Sequence, residues 1–102
     1  MIHKNRWVEL RSNEGEAIFV LNGGNTATIR TGHTVKLKAG TIGLVLPAPE
    51  AGVNVRPMFV AEGEIVLTVV NEGGVAHWVQ PGDVVAHLVS VKTEENRTKT
   101  GD

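Results

Sequence analysis

The stretch that decides the fold is EGEIVLTVVNEGGVAHWVQPGDVVAHLV, residues 62–89. A valine-rich run ends at a Glu-Gly-Gly turn, a shorter apolar segment follows, and a Pro-Gly-Asp turn leads into a last apolar run. Runs of β-branched residues that are bounded by Gly, Pro and Asn are typical of strands. The stretch therefore predicts three successive strands that are joined by tight turns.

The same alternation of short apolar runs and turn residues extends through the rest of the chain. Twelve glycines and the lack of a helical period argue against long helices. The predicted strands and extended segments are Trp7–Arg11, Ala17–Leu21, Thr26–Arg30, Thr34–Lys38, Thr41–Leu46, Val53–Val60, Glu64–Val70, Val75–Val79 and Val84–Val91. Strands that recur about every eight to twelve residues predict an all-β domain, either jelly-roll-like or barrel-like.

Length limits the organisation of the chain to one domain. A chain of 102 residues buries a modest fraction of its surface, and association with other subunits is a common way to bury more. No large apolar residue follows Val91 in the polar sequence KTEENRTKTGD. We therefore predict a β domain over residues 1–91 and a flexible tail over residues 92–102.

Composition excludes several classes of function. The net charge is -1, aromatic residues make up 4%, and no basic cluster is present, so we expect no binding to nucleic acid or to a membrane. The chain has no cysteine, which excludes disulfides and thiolate metal sites. The N-terminus lacks the apolar run of a secretory signal, so we expect a soluble protein in the cytoplasm or in a virion.

Four short segments resemble one known superfamily. They are Thr41–Pro47, Glu62–Ile65, Asn71 and Pro81–Leu88, in that order along the chain. The last of them is similar to the signature Gly-Asp-Arg-Ile-Ala-Gln-Leu. Together they resemble the deoxyuridine triphosphatase (dUTPase) and dCTP deaminase superfamily over residues 32–91. The resemblance implies a dUTPase-type jelly-roll fold and a homotrimer.

The departures from that superfamily concern its chemistry. Where the family has a phosphate-contacting Pro-Arg-Ser, this chain has Pro47-Ala48-Pro49, and residues 57–61 contain no acid where the family's catalytic Asp is expected. Thr68 stands where the deaminases have a Glu base, and His87 where dUTPases have a phosphate-contacting Gln. Hydrolysis of a triphosphate needs a positioned base and cationic clamps. We therefore predict no catalytic residue, no cofactor and no enzyme activity.

Two sets of side chains raise a metal hypothesis. His77 and His87 lie on predicted strands ten residues apart, but zinc sites usually need three or four convergent ligands, so we predict no metal site. Glu62 and Glu64 flank Gly63 and would point to the same side of a regular strand, as a magnesium pair would require. A solvated beginning of a strand is the favoured interpretation of these two glutamates.

Possible interface residues are Trp7, Trp78, His77 and His87. A Trp in a small β domain usually fills a core or an interface. If Val79 belongs to the core, alternation along the strand points Trp78 outward, where it would suit a subunit interface or a docking surface.

The function predicted from these observations is structural. We expect a non-catalytic homotrimer, in its most concrete form a decoration (cement) protein of a viral or phage capsid whose partner is the shell protein. In that case residues 1–6 or 92–102 would become ordered on the shell. The alternative is a dUTPase-like protein that binds or weakly hydrolyses nucleotides. A third possibility is a regulatory module that binds another protein.

Overall fold

A computed structural model describes residues 7–92, which form strands and one short 3-10 helix, Pro49–Ala51. The strands are β1 (Trp7–Arg11), β2 (Ile18–Val20), β3 (Asn25–Lys36), β4 (Thr41–Pro47), β5 (Asn54–Val55), β6 (Met58–Val60), β7 (Glu62–Asn71), β8 (His77–Val79) and β9 (Val84–Lys92). The all-β prediction is confirmed. In this part of the chain, no helix is long and apolar enough to cross a membrane.

The strands form three antiparallel sheets. One has the order β1-β9-β4-β6, the second β3-β7-β5, and the third is the two-stranded β2-β8 ribbon. Strands that are distant in sequence, such as β1 and β9, are neighbours in space. Within residues 7–92 the sheets do not close into a barrel, so the jelly-roll-like form of the prediction is the one observed.

Period-2 alternation builds the core. Along β7, Ile65, Leu67 and Val69 are buried whereas Glu64 and Val66 are exposed. The four-stranded sheet and the β2-β8 ribbon contribute further side chains to the same cluster, among them Leu10, Val20, Val45, Val79, Val85 and Leu88. Removing such side chains from water stabilises a fold by about 25 cal/mol per Å² of apolar surface. The valine-rich runs of the sequence therefore become the packed interior.

The structure of β3 differs from the prediction of two strands. Thr26–Arg30 and Thr34–Lys38 were predicted as separate strands, but they belong to one strand whose register with β7 shifts between Arg30 and Thr34. At the shift Gly32 takes a φ of +67°, which favours glycine. The hydroxyl of Thr31 donates to the carbonyl oxygen of Ile65 at 2.7 Å. A β-bulge thus replaces the predicted turn.

Asn71 ties three segments together at the end of β7. Its side chain is 2% exposed, and its Nδ2 donates to the carbonyl oxygens of Val20 and Val75, each at 2.9 Å. Its Oδ1 accepts from the backbone N–H of Gly73 at 3.0 Å. Asn71 therefore satisfies the polar groups of β2 and of the turn after β7, as buried polar groups require.

Several boundaries differ from the prediction, and the extended segment Val53–Val60 divides into β5 and β6. The 3-10 helix Pro49–Ala51 was not predicted, and it ends at Gly52, where φ is +78°. β9 continues through Lys92, one residue past the predicted end of the domain. The rest of the predicted tail, residues 93–102, lies outside the described residues, as do residues 1–6.

Candidate functional site

A cleft, here called the Pro47 cleft, opens where β4 meets the 3-10 helix. Its volume is about 490 Å³, and its lining comprises Pro47–Pro49, Gly52–Asn54, Val70, Glu72 and Gly73. Glu72 is the one charged side chain among these described lining residues. Among the described lining residues there is therefore no cationic partner for a phosphate, which such sites normally draw from Arg, Lys or a metal.

Two positions that the resemblance relates to family acids carry none in this chain. Residues 57–61, around β6, contain no acid, and Phe59 in this segment is 66% exposed. Thr68 lies mid-strand in β7 opposite Thr28, and its carbonyl oxygen accepts from the backbone N–H of Arg56 at 3.0 Å. A hydroxyl in that position cannot take up a proton at neutral pH as a carboxylate could.

A second group of polar side chains was missed by sequence reasoning. Glu9 on β1, Glu50 in the 3-10 helix and His87 on β9 each place one potential ligand atom within 4.8 Å of the others. We call this group the Glu9–Glu50–His87 cluster. Antiparallel pairing sets Glu9 directly opposite His87. The ring of Trp7 meets the His87 ring edge-on, with centroids 4.7 Å apart.

Arg11 adds a positive charge to one side of this cluster. Its guanidinium donates to Oε1 of Glu9 and to the carbonyl oxygen of Gly82, the latter at 2.9 Å. Both members of the Arg11–Glu9 ion pair are about half exposed, at 54% and 51%, so the pair contributes little to stability. A smaller cleft of about 340 Å³ continues from Arg11 and Glu50 to His77, Trp78 and Asp83.

The β2-β8 ribbon exposes an aromatic pair. Phe19 and Trp78 are cross-strand partners with ring centroids 4.5 Å apart, and they are 46% and 54% exposed. Leu21, two residues after Phe19, is 52% exposed. Val79 is buried, so Trp78 points outward as alternation predicted. We call Phe19, Leu21 and Trp78 the ribbon patch.

The other residues considered as metal ligands have different neighbours. Glu64 forms an ion pair with Arg30 at 3.2 Å, and this hydrogen bond and charge raise the pKa of Arg30 above its usual value. Glu62 and Glu64 thus fit the solvated beginning of a strand. His77 is not a member of the cluster around His87. Its ring lies instead against the backbone of Gly52.

Comparison with known proteins shows similarity in structure alone. No family profile matches the sequence, and no curated protein matches it. Solved dUTPases are nevertheless similar in structure. EIAV dUTPase gives a TM-score of 0.71 at 15% identity, with 97% of this chain and 97% of that chain covered. A mutant dUTPase of Staphylococcus bacteriophage 80alpha with dUpNHpp gives 0.72 at 14% identity, covering 84% of this chain and 71% of that chain.

A mutant dUTPase from phage phi11 of S. aureus gives a TM-score of 0.66 at 12% identity, with 88% of this chain and 91% of that chain covered. The chain has the dUTPase fold. The segments that carry the sequence resemblance occupy its strands as expected: β4 ends at Pro47, and β7 runs from Glu62 to Asn71. The turn Pro81–Asp83 leads into β9. At identities this low the structural similarity establishes the fold alone, and any activity has to be argued from the site itself.

Proposed function

We propose that this chain is a non-catalytic, trimeric structural protein, and most concretely a decoration protein that stabilises a viral or phage capsid. The observation that carries the proposal is the lining of the Pro47 cleft. A dUTPase-type reaction needs cations around the phosphates and a base for water. The described residues of this cleft supply one carboxylate, Glu72, and no cation.

The charges on the neighbouring strands support the same conclusion. By resemblance, His87 occupies the place of a phosphate-contacting Gln. In this chain His87 is flanked by the carboxylates of Glu9 and Glu50. Like charges at this range repel, so a triphosphate would meet two anions where it would need donors.

The ribbon patch supports assembly. A solvent-exposed Phe-Trp pair with an adjoining Leu is the kind of aromatic cluster that anchors protein interfaces. We assign it to contacts between copies of the chain, because a small domain adds buried surface by associating. The trimeric state follows from the dUTPase resemblance. Trp7, beside His87, remains a second candidate for an interface.

The capsid setting is the most specific part of the proposal. A small module of 102 residues with a net charge of -1 suits a component that is repeated many times on a shell. A trimer would match positions of three-fold symmetry. The dUTPase fold occurs in phage proteins, as the dUTPases of phages 80alpha and phi11 show. In this setting the protein would be found in the virion.

Light scattering tests the assembly. At micromolar concentration the full chain should have about three times the 10.9 kDa mass of one chain. A monomeric mass at that concentration, both alone and with purified shells, would contradict the proposal. Sedimentation with shells should then show the trimer bound at a fixed ratio, and its absence from the shell fraction would refute the capsid role.

A second function is favoured by one observation. The Pro47 cleft has a volume of about 490 Å³, within the range of about 300–1,000 Å³ that is usual for small-ligand sites. A dUTPase-like protein that binds or weakly hydrolyses nucleotides would use this cleft. Saturable binding of dUTP or dCTP with magnesium, measured by calorimetry, would favour this function over the structural one.

A further inference from the structure

We propose that Glu9, Glu50 and His87 form a binding site for one divalent transition-metal ion per chain, with Zn²⁺ as the ion that fits best. The three side chains come from β1, the 3-10 helix and β9, and their ligand atoms lie within 4.8 Å of one another. None of the three residues lines the Pro47 cleft, and the proposal does not depend on whether the chain assembles on a shell.

The backbone fixes two of the three ligands relative to each other. Glu9 and His87 are direct cross-strand partners in the β1-β9 ladder, so both side chains leave the same face of the sheet. Directly opposed side chains in an antiparallel pair have Cβ atoms about 4.5–5.5 Å apart. That spacing suits one carboxylate and one imidazole that share an ion.

The third ligand, Glu50, follows β4, which lies on the side of β9 away from β1. β4 pairs with β9 so that Leu46 lies opposite His87, and the chain then turns into the 3-10 helix that carries Glu50. Pro49 begins this helix and holds its backbone angle near that of a helical turn. Glu50 is thereby directed to the face of the sheet that carries Glu9 and His87.

The separations are compatible with a shared ion. Tetrahedral zinc with bonds of about 2.0–2.2 Å places its ligand atoms about 3.4 Å apart. The ligand atoms of the cluster all lie within 4.8 Å of one another. Glu9 and Glu50 are exposed, so rotation about their side-chain bonds can adjust these distances without moving a strand. Water would complete the coordination.

The mixture of ligands selects the class of ion. An imidazole together with carboxylates suits zinc and its first-row neighbours, whereas magnesium and calcium prefer oxygen ligands alone. The edge-on contact with Trp7 limits rotation of the His87 ring, which lowers the entropy lost on binding. These two features distinguish the cluster from a group of surface carboxylates.

Arg11 lowers the affinity for a metal ion that we expect of the Glu9–Glu50–His87 cluster. Its guanidinium pairs with Oε1 of Glu9, one of the three proposed ligands. A nearby cation opposes the binding of another cation. The structure therefore predicts a site of moderate affinity that becomes tighter when Arg11 is neutralised.

Isothermal titration of the tag-free, EDTA-treated and dialysed full chain with zinc chloride tests the proposal. We expect one ion per chain, and we expect His87→Ala and Glu50→Gln each to weaken binding about tenfold or more. The matched controls His33→Gln and Glu62→Gln should bind within about twofold of the wild type, since neither residue belongs to the cluster. Arg11→Gln should bind several-fold tighter.

Several results would contradict the proposed zinc site. Absence of zinc binding by the wild type at millimolar concentration would do so, as would equal loss in His33→Gln and His87→Ala. Weaker binding in Arg11→Gln would contradict the arrangement of charges.

NMR of the imidazole signals gives a readout on the wild type that no folding defect can mimic. Zinc should shift the His87 ring resonances at one equivalent, and a shift confined to another histidine would refute the site.

Discussion

Replacing Asn71 with alanine should destabilise the protein more than any other single change from asparagine. The side chain is 2% exposed and makes three hydrogen bonds, at 2.9, 2.9 and 3.0 Å, to β2 and to the turn after β7. Each such bond contributes about 0.5–1.5 kcal/mol, and a buried group left without a partner costs about 1–3 kcal/mol. We expect Asn71→Ala to lower the free energy of unfolding by about 3 kcal/mol.

Urea denaturation followed by Trp fluorescence measures this change, at equal protein concentration because an assembled state makes stability depend on concentration. For a domain of this size, about 3 kcal/mol corresponds to a fall in Tm of about 12–24 °C. Asn71→Asp should cost at least as much, since it keeps the acceptor for Gly73 but loses both donors and buries a charge.

The matched control is Asn25→Ala. Asn25 is exposed, and its Nδ2 donates to the carbonyl oxygen of Asn22 at 2.7 Å in an open turn. We expect this variant to lose less than about 1 kcal/mol. The reasoning would be refuted if Asn71→Ala cost no more than Asn25→Ala, because the three bonds of Asn71 would then add nothing to the stability of the fold.

Further predictions concern packing and assembly. Gly52→Ala should lower the free energy of unfolding by about 1–3 kcal/mol, because φ is +78° and the added Cβ would meet the His77 ring. Gly15→Ala is the control, because an added Cβ there meets nothing within 4 Å, and its free energy of unfolding in urea should stay within about 0.5 kcal/mol of the wild type. Trp78→Ser should reduce the mass measured by light scattering toward that of one chain, whereas Phe59→Ser, an exposed apolar change outside the ribbon patch, should leave it unchanged. Equal masses for these two variants would exclude the ribbon patch as the contact.

The architecture could be predicted largely because local signals agree with the fold. Valine-rich runs and Gly-Pro punctuation give β4, β7, β8 and β9 to within a few residues, whereas the single predicted segment Val53–Val60 forms two short strands. The bulge in β3 could not be predicted, since Gly32-His33 has the composition of a turn and only pairing with β7 makes it a register shift. The 3-10 helix Pro49–Ala51 is too short to produce a period in the sequence.

For the candidate sites, the orientation of a single side chain could be predicted from the sequence, whereas contacts between residues distant in sequence could not. Period-2 alternation was enough to orient Trp78, because its neighbour Val79 is an obvious core residue. The partners of His87 were not predictable, since Glu9 and Glu50 are distant in sequence and meet it only through the β1-β9 and β4-β9 registers. The ribbon patch required the pairing of Phe19 with Trp78, which no local pattern shows.

An assay of nucleotide turnover distinguishes a non-catalytic protein from a dUTPase-like enzyme. The full chain at micromolar concentration would be incubated with magnesium and either dUTP or dCTP, with an active dUTPase as positive control, and products would be followed by chromatography. We expect no product above the protein-free reaction, because the Pro47 cleft has no cation among its described lining residues. Magnesium-dependent turnover that increases with protein concentration and stops with EDTA would contradict it.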